Sequence, residues 1–237
     1  HPVSDVPYSR STQYNARMIP DNNAPKDNGR TARQLLRAHR YGALGTLSKK
    51  FDGHPFTSIT PYLTDHDGSL LILISGLAEH TKNILHDSRV SLITHNQEDP
   101  HIQTQGRVTV VGHAVFQQDR ENCGRRYLRY FPEAQTYYDM ADFNFFRITP
   151  LAIRYIGGFG DIHWVRTENY LVPPHPLMEE EETLLAELNA TAGETTWVGV
   201  DCDGYDLRRD DRIQRHPFAQ SALSAAAARV VIPLGTD

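Results

Sequence analysis

Between Gly42 and Thr94 the chain reads as a series of short β-prone runs, Gly42 to Ser48, Pro55 to Leu63, Leu70 to Ser75 and Val90 to Thr94. Two of the gaps carry Asp-Gly, in Phe51-Asp52-Gly53-His54 and Asp65-His66-Asp67-Gly68, a pair that accepts the backbone angles of a tight reversal. Reversals this short join antiparallel neighbours, because parallel strands need a crossover of about a dozen residues or more. The spacing therefore predicts two consecutive hairpins and argues against a doubly wound parallel sheet.

The rest of the first two thirds agrees. Arg107 to Phe116 alternates Val108, Val110 and Gly112 with Thr109, Val111 and His113, a long strand partly buried on both faces. Strand character returns at Phe143 to Pro150, at Ile153 to Ile156 and, after the turn Gly157-Gly158-Phe159-Gly160, at Ile162 to Val165. Helices are expected at Arg30 to Arg40, where Ala32, Leu35, Leu36 and Ala38 form one side with arginines between them, at Gln117 to Tyr130, and over the Tyr-rich Phe131 to Met140. The outcome is an α+β domain of roughly six or seven mostly antiparallel strands curled into a small β-barrel.

Composition then shifts. Leu171 to Pro176 is a stiff linker, and the acidic run Glu179 to Glu182 suits the start of a helix reaching about Asn189. Trp197 to Val200 is strand-like, Asp203-Gly204 a turn, Arg212 to His216 a returning strand, and Ser221 to Val230 a closing helix. The expected division is a flexible N-terminal arm over 1–29, a barrel domain over 30–168, a linker over 169–178 and a small C-terminal α/β domain over 179–237. A unit of that size is marginal alone, so it is expected to pack on the barrel or on a partner subunit. Residues 1–29 are rich in Asn, Asp, Pro and Ser without apolar period and read as an arm, not a signal peptide; a start at His1 suggests further residues upstream.

A formal charge of −5 argues against a chain-wide footprint for nucleic acid and leaves room for a local basic pocket that takes a small anion. No apolar run approaches the ~18 residues of a membrane span. Cys123 and Cys202 stand far apart without metal-ligand spacing, so neither a disulfide framework nor a metal site is expected, and a cytoplasmic location fits best.

The segment most suggestive of chemistry is Gly76 to Asn83, Gly-Leu-Ala-Glu-His-Thr-Lys-Asn, where the apolar run Leu70 to Ile74 hands over to a helix. Unpaired amides and the helix dipole there suit an anion, with Lys82 as a point charge and Ser75 as a hydroxyl donor. Leu77, Ile84 and Leu85 are expected to share one helix face. Arg107 follows Gly106, so a guanidinium able to grip a carboxylate or phosphate would sit beside a backbone with room for a planar ligand. The Gly157 to Gly160 turn is too short for a dinucleotide fingerprint and reads as a tight hairpin. Among the histidines, His54 and His66 lie in turns where solvation is expected, while His80, His163 and His175 are the candidates for axial ligation of a haem iron. Cys123 has no partner that would make it a nucleophile.

Ala32-Arg-Gln-Leu-Leu-Arg, Tyr41-Gly-Ala-Leu-Gly-Thr-Leu, Leu77-Ala-Glu-His-Thr-Lys-Asn, Gly106-Arg-Val-Thr-Val-Val-Gly and Tyr155-Ile-Gly-Gly-Phe-Gly together resemble the pyridoxamine-phosphate-oxidase-like split-barrel proteins, in the haem-utilisation (HugZ/HutZ) branch. The resemblance spans about Arg30 to Trp164 and continues weakly over Asn189 to Val230. It implies a homodimer of six-stranded antiparallel split barrels, each with a small C-terminal α/β domain, and a cofactor cleft at the subunit interface. It further implies that Ser58, Ser75, His80, Thr81, Lys82 and Arg107 surround that cofactor. FMN is the first expectation and oxidoreductase activity its companion; haem binding or degradation is the alternative, and a non-catalytic regulatory module the third. The strand His54 to Tyr62 lacks the flavin-binding Arg and Lys of the oxidase, and Arg107 replaces a flavin-contacting glutamine, which argues against a pyridoxamine-phosphate substrate. Asn189-Ala-Thr-Ala-Gly193 also lacks the histidine usual in relatives.

Overall fold

A computed structural model describes residues 27–233, so most of the expected N-terminal arm lies outside the described residues. In chain order the elements are α1 (Asn28–Ala38), β1 (Tyr41–Leu47), β2 (Pro55–Pro61), β3 (Leu63–Thr64), β4 (Leu70–Ser75), α2 (Glu79–His86), β5 (Arg89–His95), β6 (Arg107–Phe116), α3 (Arg120–Tyr130), α4 (Gln135–Tyr138), β7 (Phe143–Gly158), β8 (Asp161–Arg166) and α5 (Thr167–Tyr170). There follow α6 (Leu177–Ala190), β9 (Thr196–Asp201), β10 (Gly204–Arg209), β11 (Arg212–Pro217) and α7 (Ala225–Val231).

The first sheet is antiparallel and eight-stranded, in the order β2-β1-β5-β6-β7-β4-β3 with β8 also paired to β7. It curls into a half-barrel, in keeping with the antiparallel barrel that the turn spacing predicts and with the split barrel that the resemblance implies. Details differ from expectation for physical reasons. The run Pro55 to Leu63 breaks at Pro61, so the second hairpin joins β3 to β4 through only two paired positions. Conversely, Pro150 does not end its strand: it pairs with Gly112, where the β6–β7 register shifts, and a proline fits at such a bulge. β7 therefore runs through 16 residues and serves as the spine shared by β6, β4 and β8. Two glycines in the β7–β8 turn, Gly158 and Gly160, take positive φ, as a tight reversal requires.

The continuous apolar run of β4 is buried on both faces. Leu70, Ile72 and Ile74 point into the half-barrel with Leu44, Leu92, Val110, Ile148 and Ile153, while Leu71 and Leu73 pack under α3 against Tyr127 and Phe145. Helix α1 closes one end of the half-barrel with Ala32 and Leu36, and Ile84 of α2 joins the same core. The expected helix over Phe131 to Met140 is instead a 3-10 turn at Pro132–Ala134 followed by the four residues of α4.

The second sheet has the order β11-β10-β9, with α6 and α7 beside it. β10 is absent from the sequence reading because one of its inward positions carries Asp206, which ionic partners hold in place of an apolar core. Arg37 Nη1 lies 2.8 Å from Asp201 Oδ1 and 2.8 Å from Asp203 Oδ2, and Arg33 Nε lies 2.8 Å from Asp203 Oδ2. Arg40 reaches Asp206 at 3.0 Å, and Arg215 reaches Asp201 at 2.6 Å. From α3, Arg126 and Arg129 reach Glu181 of α6 at 3.2 Å and 2.6 Å. The arginines between the apolar positions of α1 thus attach the second sheet to the barrel. His66 corrects its turn expectation in the same way: it is buried, with Nε2 3.0 Å from Glu181 Oε2.

Candidate functional site

At the start of α2, Ala78 supplies no side-chain cap, and among the described residues the amides of Glu79 and His80 have no partner. The positive helix end is therefore open, as its sequence predicts. Lys82 is exposed, and Thr81 is buried with its Oγ1 unpartnered. Asn83, fully buried, fastens the helix to the barrel: its Oδ1 accepts from the Lys49 amide at 2.9 Å and its Nδ2 donates to Thr46 Oγ1 at 3.0 Å. The expected face of Leu77, Ile84 and Leu85 is corrected. Leu77 precedes the helix and is 76% exposed, Leu85 is 68% exposed, and the buried face is Thr81, Asn83 and Ile84.

His80 Nδ1 lies 3.1 Å from Ser58 Oγ. The alternation of β2 places Ser58 on the side of buried Thr60, facing α2, while Ile59 faces outward. Burial holds the imidazole below its ordinary pKa, which favours the neutral ring. His80 Nε2 makes no hydrogen bond among the described residues and is not sealed from solvent.

Ser75 has a different role from the one expected. Its Oγ donates to Asp142 Oδ2 at 2.7 Å and accepts from the Leu77 amide at 3.1 Å, while the Gly76 amide donates to the Asp142 carbonyl at 2.7 Å. A carboxylate thus stands beside the turn, and its charge opposes a phosphate there. Arg107 lies on β6, separated from β2 by β1 and β5, about 14 Å at ordinary strand spacing. Its Nη1 donates to the Ile102 carbonyl at 2.7 Å. The space beside Gly106 holds no ligand: a Cβ there would stand 2.6 Å from Leu35 Cδ1 of α1. Ser58, Ser75, His80, Thr81 and Lys82 therefore gather around α2, and Arg107 stands apart.

Arg107 belongs to the outer face of the sheet. Ile59, Ala43, Ile93, Thr109, Arg154 and Trp164 are successive cross-strand neighbours on that face, and His95, Arg107, Ile156 and Ile162 form the adjoining row. Tyr41, Ile59, Ile93, Ile162 and Trp164 are exposed, and the Arg154 guanidinium lies 5.1 Å from the Trp164 ring centroid.

Elsewhere, Asp201, Cys202 and Asp203 bring ligand atoms within 4.8 Å of one another. Arg37 contacts both carboxylates, and burial pushes the Cys202 thiol up to about 11, so cations already occupy the place a metal would take. A cleft of about 960 Å³ between α3, the linker and α6 has a floor of Asp65, Arg126, Arg147 and Glu181, whose charges are mutually paired. No helix among the described residues is long and apolar enough to cross a membrane.

A haem requires apolar surface for its macrocycle, cations for its carboxylates and a nitrogen for its iron. The outer face supplies the first and, in Arg107 and Arg154, the second, whereas His80 with Ser58 lies on the other side of the sheet. A flavin phosphate fits less well, since only the α2 amides and Lys82 favour it and Asp142 opposes it.

The protein family described as CREG, beta-barrel matches residues 23–172. The chain is 30% identical over 171 residues to the chloroplastic non-canonical heme oxygenase HOZ of Arabidopsis thaliana, covering 69% of this chain and 52% of that protein. It thus spans about half the length of that curated relative. Among solved structures, a protein of unknown function from Agrobacterium tumefaciens superposes with a TM-score of 0.76 at 24% identity, over 90% of this chain and 97% of that one. A heme binding protein from Mycobacterium smegmatis superposes with a TM-score of 0.56 at 25% identity, over 88% of this chain and 95% of that one.

Proposed function

The chain belongs to the CREG β-barrel family, and from that premise we propose that it is a haem-binding protein whose cofactor lies in a cleft between two copies of the chain. The observation that carries this reading is the 30% identity to a heme oxygenase over 69% of the chain. The M. smegmatis likeness, which covers most of both chains, supports the same cofactor. The outer face supports the dimer, because a contiguous row with exposed Ile59, Ile93 and Trp164 on a regular sheet is the kind of surface a second copy covers. Haem, when bound, supplies a redox-active iron, and haem degradation is the candidate activity. The chain's own contribution would be to bind and orient: on the outer face Arg107 or Arg154 would pair with a propionate, and Ile93, Ile162 and Trp164 would exclude water from the macrocycle.

Titration of the purified full chain with haemin tests the reading. A saturable Soret band with one haem per protomer is expected; no band above that of free haemin would refute it.

FMN is a second reading, favoured by the two unpaired amides at the start of α2. It predicts quenching of flavin fluorescence on titration with the protein, competed by inorganic phosphate.

A further inference from the structure

His66 and His175 adjoin where the barrel, the linker and α6 meet, with ring centroids 6.2 Å apart and ring planes inclined at 76°. His66, in the turn before β4, is buried, and its Nε2 lies 3.0 Å from Glu181 Oε2. Burial alone would raise the Glu181 carboxyl, but Arg126, His66 and Arg129 hold it well below the usual carboxylate range. Ionised, it can only accept, so the proton of the His66 ring is on Nε2. His175 Nδ1 lies 2.9 Å from the Pro173 carbonyl, another group that can only accept, so the proton of that ring is on Nδ1. These partners leave a lone pair on His66 Nδ1 and another on His175 Nε2. Both atoms are buried, and neither has a hydrogen-bond partner among the described residues. A proton added to either ring would only bury an N–H without an acceptor.

We infer that His66 Nδ1 and His175 Nε2 are ligands of one divalent metal ion of the class that imidazole suits, Zn²⁺ foremost. Ligating histidines characteristically give their other ring nitrogen to a carboxylate or a backbone carbonyl, which fixes the tautomer and the ring plane, and here one ring has each kind of partner. A zinc–nitrogen distance of about 2 Å on each side puts two ring centres about 5 Å apart at a tetrahedral angle and about 6 Å apart when the nitrogens oppose one another across the ion. The observed separation lies at the wide end of that span. His66, Pro173, Pro174 and Met178 line the cleft of about 960 Å³ between α3, the linker and α6, so an ion has an approach and water for its remaining positions. Asp201, Cys202 and Asp203 differ in this respect, because arginine already stands against both of their carboxylates. Bound between the two rings, the ion would tie the β3–β4 turn of the barrel to the linker that leads into α6.

The inference goes beyond the haem reading and does not depend on it. The metal-free full chain is titrated with zinc chloride by isothermal titration calorimetry, and the zinc-loaded chain is read by X-ray absorption. One Zn²⁺ per protomer is expected, with two imidazole nitrogens around it, and the melting temperature should rise with zinc concentration. His175→Ala alters a half-buried linker residue and is expected to keep the fold by circular dichroism while losing zinc affinity by at least about tenfold. Should that variant fail to fold, His175→Gln serves instead, with the same loss expected. His54→Ala, at an exposed turn, is expected to bind zinc as the wild type does. Zinc binding that the His175 variant leaves unchanged is adventitious binding by other histidines and overturns the assignment, as does a wild-type chain without a saturable zinc site. A chain that binds haemin and not zinc leaves the haem reading standing and refutes this one.

Discussion

Arg37 is the residue on which the join between the two sheets turns. Its side chain is 2% exposed and its Nη1 serves Asp201 and Asp203 together. Removing one member of a buried set leaves the others as uncompensated charge, which typically costs about 3–5 kcal/mol. Arg37→Ala is therefore expected to lower stability by about that amount in urea unfolding, whereas an exposed pair such as Arg229 with Glu187 should be worth less than about 1 kcal/mol when cut. A clue was legible: Arg30, Arg33, Arg37 and Arg40 recur at helical spacing, and Asp201, Asp203 and Asp206 recur on the other side. What sequence could not supply was their meeting, since the partners are more than 160 residues apart. A separation of 115 residues from Glu181 likewise hid the burial of His66. Ser75 shows a subtler loss: its place at the strand end was readable, but the Asp142 carboxylate that takes its hydroxyl comes from the approach to β7.

Helix α2 depends on one side chain for its seat. Asn83 makes hydrogen bonds to Lys49 and Thr46 from a fully buried position, so Asn83→Ala should cost about 2–3 kcal/mol. A thermal melt reads the effect. The β6–β7 bulge is a second sensitive element. A Cβ on Gly112 would stand 2.2 Å from the Thr149 carbonyl, so Gly112→Ala must push two central strands apart and is expected to lower the yield of folded protein. Element types were largely readable from alternation and Asp-Gly turns. Boundaries were not where a proline sat in a bulge, as in β7, or where a strand carried buried charge, as in β10.

For the whole molecule, the dimer reading predicts that a charge placed in the outer row, Ile59→Asp or Ile93→Arg, yields monomers by light scattering and loses haem. A chain already monomeric at micromolar concentration would argue against it. Acid should act on the join between the sheets. Burial alone would raise the Glu181 and Asp201 carboxyls, but Arg126 and His66 around the first, and Arg215 and Arg37 around the second, hold both well below the usual range. Groups depressed on folding stabilise fully above their unfolded pKa of about 4 and lose that contribution as pH falls towards the folded value. The melting temperature should therefore drop steadily as pH is lowered from about 6 to 3, and Glu181→Gln should flatten that slope. The sequence by itself determined the antiparallel, barrel-like sheet and the handover from β4 to α2, because those follow from side-chain period and turn chemistry within a few residues. Only the tertiary structure decided that Arg107 stands apart from His80, that Ser58 holds His80, and that arginines carry the second sheet, because each depends on strands and helices that meet from distant parts of the chain.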